Sequence, residues 1–184
     1  MPKKKKDDQQ EYPFVFGEFT KFRHYKKNAI ILRKGKVENY ISVVCKGTAG
    51  MFLENDDAEI CYAFVFENGY FSSYESFVTR KPSQVSLKSL EVLTIASISY
   101  GDMQIVLGNV EGLQYGKQIV DQLFFGAQQR IFSLITQSAE ERYRELILSR
   151  PEVFKNIKQK YIASYLGITP VSLSRIRAQV TAKK

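Results

Sequence analysis

A chain of 184 residues, 44% of them hydrophobic, is long enough for one or two compact domains with a core of their own. Its formal charge of +8 favours polyanionic partners. No apolar run approaches the ~18 residues of a membrane span, and the start MPKKKKDDQQ lacks an apolar signal core, so a cytoplasmic protein with no membrane partner is expected.

Residues 1–10 hold four lysines beside Asp7 and Asp8 and read as a solvated, disordered basic tail. From about Phe14 to Ile98 the pattern is β. The runs AIIL, YISVV, MFL and ICYAFVF are rich in β-branched and aromatic residues. Turn signals separate them at Lys34-Gly35, Lys46-Gly47, Asn55-Asp56-Asp57 and Asn68-Gly69. Such spacing suits a sandwich or barrel of short antiparallel strands. Residues 86–99 add further strands, with Glu91 at their turn. Cys45 and Cys61 lie in strand-like runs, outside any C-x-x-C pair, and are expected to be buried free thiols. His24 is the only histidine, at the edge of the strand region, and reads as structural.

The period then changes. Ser99 to Asp102 leads into MQIVL, a short helix. Gly108, Gly112 and Gly116 follow at four-residue spacing. GLQYGKQ is too short for a phosphate loop and has Gln118 where a magnesium-binding hydroxyl belongs, so a joint between helices or a close backbone approach accounts for it better. Leu113, Val120, Ala127 and Leu134 recur every seven residues, joined by Leu123, Phe124 and Ile131. That is a long amphipathic helix, and the seam of Leu113, Val120, Phe124, Ala127 and Ile131 is expected to join two copies. Ser138-Ala139-Glu140-Glu141 signals another helix start, with an end near Ser149 before Pro151.

The stretch IASYLGITPVSLSRIR, Ile162 to Arg177, has the pattern of a helix-turn-helix. Ala163 is small where two helices would cross. Gly167 suits a helix end that needs positive φ, Thr169 can cap the next helix, and Pro170 fits its first turn. Leu173 and Ile176 turn one face inward. The charge is concentrated here too. Residues 1–138 carry 17 basic and 15 acidic side chains, whereas residues 139–184 carry 10 and 4. Binding of a polyanion explains that coincidence.

In this order the parts resemble the Crp/Fnr family of bacterial transcription regulators, over nearly the whole chain. ILRKGKVENYISVVCKGTAGMFL is similar to that family's first strands, with Gly35 and Gly47 at its turn glycines. NGYFSSYESFVTRKPSQVSL resembles its phosphate-binding cassette, and QKYIASYLGITPVSLSRIR its DNA-reading unit. The resemblance implies an α+β fold: an N-terminal antiparallel β-roll or jelly roll over 11–110, a dimerisation helix over 111–137 and a helix-turn-helix domain over 138–184. It also implies a homodimer on double-stranded DNA, a small-molecule effector in the roll, and contact with RNA polymerase.

Two departures qualify it. Relatives similar to the catabolite activator hold cyclic AMP with a Gly-Glu pair and an Arg-Ser/Thr-Ala triplet. Those places fall on Ser73-Tyr74 and Gln84-Val85-Ser86, with Arg80 and Lys81 out of register. The expected effector is therefore not cyclic AMP, although Ser73, Tyr74 and Gln84 remain the candidate effector positions. The family's base-reading positions fall on Pro170, Val171 and Arg175, and only the arginine matches. Two cysteines cannot supply a four-ligand iron–sulfur cluster, and haem on His24 is disfavoured, so neither cofactor nor metal is expected.

The reading is a dimer that binds DNA in the major groove. Arg175 can bond guanine O6 and N7 together, and Ser172 and Ser174 can meet bases or phosphate. Lys158, Gln159, Lys160 and Arg177 are expected along the phosphates, and Thr169, at the start of the second helix, is counted among the DNA-binding residues. With one histidine, no nucleophile elbow and no nucleotide fingerprint, an enzyme is not expected. The alternative is a ligand-sensing module of the same roll without sequence-specific DNA binding.

Overall fold

The computed structural model describes residues 16–54 and 58–182. The basic tail and the Asn55–Asp57 turn lie outside those residues. Strands β1 (Lys21–Tyr25), β8 (Leu93–Ser99), β3 (Tyr40–Lys46) and β6 (Tyr70–Phe71) form one sheet in that order. The second runs β2 (Ile30–Leu32), β7 (Val85–Ser89), β4 (Ala49–Glu54), β5 (Glu59–Val65). Every pairing is antiparallel. The two sheets pack into a roll, as expected.

Alternation along the strands explains what lies where. Val44, Ala49, Phe71, Leu87, Leu93 and Ile95 point between the sheets and form the inner core. The buried hydroxyls of Ser42 and Ser97 meet across the β3–β8 pair at 2.9 Å, so neither is left unsatisfied inside. Ile41, Val43 and Ile98 point the other way, to a layer with Phe77, Met103 and Ile119. Gly47 turns between β3 and β4 at φ 86°, with any Cβ only 2.3 Å from the Val92 carbonyl oxygen, so only glycine fits. Cys61 is buried, but Cys45 is only half-buried. It follows the inward Val44 along β3, so alternation puts its side chain off the inner face.

Helix α1 (Tyr74–Thr79) interrupts the strands. After the roll come α2 (Tyr100–Val106) and the 27-residue α3 (Val110–Thr136). Then follow α4 (Ala139–Ser149), α5 (Val153–Asn156), α6 (Gln159–Tyr165) and α7 (Pro170–Ala182). The helix starts follow their caps. Ser99 accepts from the Asp102 amide, Asn109 from the Gly112 amide, and Ser138 with Glu141 forms a complete capping box.

The glycine series is the close approach anticipated for it. A Cβ on Gly112 would stand 1.6 Å from the Val106 carbonyl oxygen, whereas one on Gly116 would meet only the Leu107 side chain, at 2.5 Å. Backbone cannot move aside as a leucine tip can. We therefore predict that Gly112→Ala costs at least about 1–3 kcal/mol, overriding its gain in helix propensity. Gly116→Ala should be near neutral. Urea denaturation of the two variants checks the contrast.

Candidate effector cavity and nucleic-acid interface

Between the sheets lies a cavity of about 110 Å³, lined by Arg23, Glu38, Tyr40, Ser42, Phe71 and Leu87 among others. Glu38 organises its rim. One carboxylate oxygen accepts from the Asn39 and Tyr40 amides, and the other from Ser73 N–H. Burial pushes its pKa up, against the pull of the Tyr40, Ser73 and Asn39 N–H groups and of Arg23. Arg23 lies over the Tyr40 ring, 3.3 Å from its centroid.

The cassette that begins at Gly69 is fastened to this rim by its own polar groups. The Glu38 amide donates to Ser76 Oγ, and Ser83 Oγ bonds Ser73 Oγ at 2.8 Å. Arg80, a non-glycine residue at φ 58°, ends α1 and turns its guanidinium inward. It donates to the Glu38 carbonyl at 2.7 Å and to Asn39 Oδ1, and lies over Tyr100. Of the candidate effector positions, Ser73 is buried while Tyr74 and Gln84 are exposed. None of the three lines the cavity. Glu38 was missed in the sequence because nothing marks a lone glutamate in a turn as buried.

A larger hollow of about 450 Å³ opens at the turn end of the roll, against α4 and α5. Lys27, Lys46 and Arg150 there face Glu67, Glu91 and Glu152, so it favours neither sign of charge. Glu91 bridges it, accepting from Thr48 Oγ1 and from Asn156 Nδ2.

The helix-turn-helix forms as its residues require. Gly167 has φ 71°, and the Ile168 amide reaches back to the Ala163 carbonyl at 3.0 Å. Thr169 Oγ1 accepts from the Ser172 amide. Ala163, Leu166 and Leu173 are buried with Tyr143, Leu146 and Val153 of α4 and α5, and Ile176 packs against them.

That anchoring leaves Val171 and Arg175, one turn apart, exposed on the outer face of α7. Ser174 is exposed and donates to the Pro170 carbonyl. Ser172 is half-buried and shares its hydroxyl with Thr169, and Arg177 is half-buried too. Lys158 and Gln159 stand exposed at the head of α6. Lys160 is exposed but not free, its ammonium 3.8 Å from Glu59 of β5.

Along α3, Leu113, Val120, Phe124, Ala127 and Ile131 are all exposed, Phe124 by 60%. Phe125, Phe132 and Ile135 form a second exposed stripe that the seven-residue repeat did not reveal. Among the described residues no cluster of side chains could hold a metal, and no helix is long and apolar enough to cross a membrane.

Residues 22–109 match the cyclic nucleotide-binding domain. No curated protein matches the chain. Among solved structures, FixK2 of Bradyrhizobium japonicum superposes with a TM-score of 0.73 at 15% identity, over 89% of this chain and 85% of its own. A protein of Eubacterium rectale described as a Crp/Fnr-family regulator also reaches 0.73 at 15%, over 92% and 82%. CLP, the c-di-GMP-responsive global regulator of Xanthomonas campestris, reaches 0.68 at 16%, over 92% and 90%. The chain thus shares its fold with these three structures.

Proposed function

We infer, from a cyclic nucleotide-binding domain set within the fold of the Crp/Fnr regulators, that this protein is a dimeric, DNA-binding regulator of transcription. The observation that carries the reading is α7 itself. Leu173 and Ile176 hold its inner face on the domain core, and Val171 and Arg175 point outward together. An exposed guanidinium one turn from a bare isopropyl group suits a major-groove edge. The arginine pairs with guanine O6 and N7, and the valine packs on a thymine methyl. Lys158 and Gln159 at the head of α6, with Thr169 and Arg177, are assigned to phosphate. Ser174, already bonded to its own helix, is a weaker reader than Arg175. No catalytic role is assigned.

Dimerisation is assigned to α3. A helix that leaves Leu113, Val120, Phe124 and Ile131 exposed in one copy can remove that apolar surface from water by pairing with a second. Two helix-turn-helix units on one face would then meet half-sites about 34 Å apart.

The effector is assigned to the roll but not to cyclic AMP. Ligand cavities run to about 300 Å³ or more, and the interior one is about 110 Å³. Its buried carboxylate, Glu38, stands where a ribose-phosphate would have to enter, and Arg23, the one cation of the lining, is offset by it. The cassette's arginine, Arg80, is committed to Glu38 O and Asn39. An effector that does bind would act by favouring one dimer geometry over another.

Three expectations test this reading. Arg175→Ala should cost about 1–3 kcal/mol on the best site and relax preference at one base pair. Lys158→Ala should weaken all sequences alike and flatten the log–log salt dependence by about one unit. Fluorescence anisotropy on selected and scrambled duplexes separates them, and equal effects on preference would overturn the division of roles.

Val120→Glu or Phe124→Glu buries charge in the proposed seam, so light scattering should report a monomer with a folded roll. A wild-type monomer at high concentration would refute the dimer. Calorimetry with millimolar cyclic AMP should show no saturable binding and no gain in DNA affinity. Tight binding that strengthens DNA binding would return the protein to the nucleotide-activated type.

A further inference from the structure

Strand β5 is both bulged and at the edge of its sheet. Against β4 its register steps from Met51↔Ala63 to Phe52↔Cys61, so Tyr62 is an extra residue. An edge strand leaves outward N–H and C=O groups in need of partners. The helix-turn-helix supplies them. Ser164 Oγ of α6 accepts from the Cys61 amide at 3.0 Å and lies 3.3 Å from the Cys61 carbonyl oxygen. Arg130 of α3 donates to the Tyr62 carbonyl at 3.1 Å and to the Tyr165 carbonyl of α6. Tyr165 stacks on Phe64 at 4.4 Å, and Tyr161 meets Phe52 edge-on at 4.9 Å.

At the end of this seam stands Glu59. It accepts from Tyr161 Oη, pairs with Lys88, and faces the Lys160 ammonium at 3.8 Å. Burial raises its pKa, but Lys88, Tyr161 and Lys160 together outweigh burial and hold it below its ordinary value. It is therefore ionised at neutral pH. Lys160 sits two residues from Lys158 at the head of α6, where the DNA reading puts phosphate. A duplex carries about one negative charge per 1.7 Å of its axis, and Glu59 stands where one of those charges would approach.

We propose that the β5 edge masks the helix-turn-helix: Glu59 takes the place of a DNA phosphate on Lys160 and Tyr161, and α6 must leave β5 before the unit binds at full strength. This rests on the DNA reading above. The docked form is then the weak-binding form. The roll controls it mechanically, because β5 hangs from β4 and any shift of that hairpin moves Glu59, Cys61 and Tyr62 together.

The test compares the wild type with Glu59→Gln, which keeps the shape and an acceptor for Tyr161 but removes the charge. On a non-specific duplex, affinity should rise about threefold or more at low salt. The log–log salt slope should also steepen by about one unit as Lys160 becomes available. Glu75→Gln, the same change in charge at an exposed site on α1, should do neither. Ser164→Ala removes the partner of the Cys61 amide, so hydrogen exchange at Cys61 should accelerate and DNA affinity should again rise. Unchanged or weakened DNA binding in Glu59→Gln overturns the mask, and if Arg175→Ala still lowers affinity, the DNA reading survives alone. If no form binds duplex DNA, the DNA reading fails and the mask with it, whatever the exchange rates show.

Discussion

One constraint organises the rest of the molecule: the edge of the second sheet must be covered, and α6 covers it. Phe52, Cys61, Phe64 and Leu90 of the roll share a single buried cluster with Tyr161, Ile162, Ala163, Leu166 and Leu173 of the helix-turn-helix. Simple alternation along β5 would put Cys61 and Phe64, three residues apart, on opposite faces. The extra residue at Tyr62 resets the phase and puts both on the outer face. Removing that bulge would turn Cys61 inward and split the shared core. The direction in which α7 presents Arg175 is therefore set partly by a register step in a strand far from it in sequence.

Two arginines carry the same constraint along the helices. Arg130 ties α3 to the Tyr62 and Tyr165 carbonyls. Arg142 of α4 donates to the Leu166 carbonyl at 2.8 Å and to carbonyls at the end of α3. Both reach the C-terminal end of α6, where helix carbonyls lack partners and positive charge is favoured. The long helix, the sheet edge and the turn at Gly167 thus meet at adjacent carbonyls. A shift of α3 would be felt first at those bonds.

The roll reflects a different economy. Cassette residues that could receive a charged ligand are instead joined to one another through Glu38, Ser73, Ser76, Ser83 and Arg80. Buried polar groups must find partners somewhere, and here they find them in the protein. The space left inside is small, and its one cation, Arg23, is balanced by Glu38. The fold can persist while its ligand chemistry changes, since the sheets depend on Val44, Leu87 and Ile95 rather than on the rim.

Much of this was legible in the residues alone. The short antiparallel strands followed from apolar runs between turn signals, the long helix from its seven-residue repeat, and the helix-turn-helix from Ala163, Gly167, Thr169 and Pro170, while the roll itself came from the family resemblance. Each is a local signal, because a turn, a cap or a period depends on neighbours in the chain. Helix α1 escaped notice because it is a six-residue element held by Glu38 and Asn39, with no side-chain cap at its start. Glu38, the second apolar stripe on α3 and the pairing of Lys160 with Glu59 were equally hidden. Burial and ion pairing join residues that are far apart in sequence: Glu38 and Ser76 by 38 positions, Glu59 and Tyr161 by 102. Local chemistry determined which elements form. Only their packing decided which charges are free, which are buried and which are already engaged.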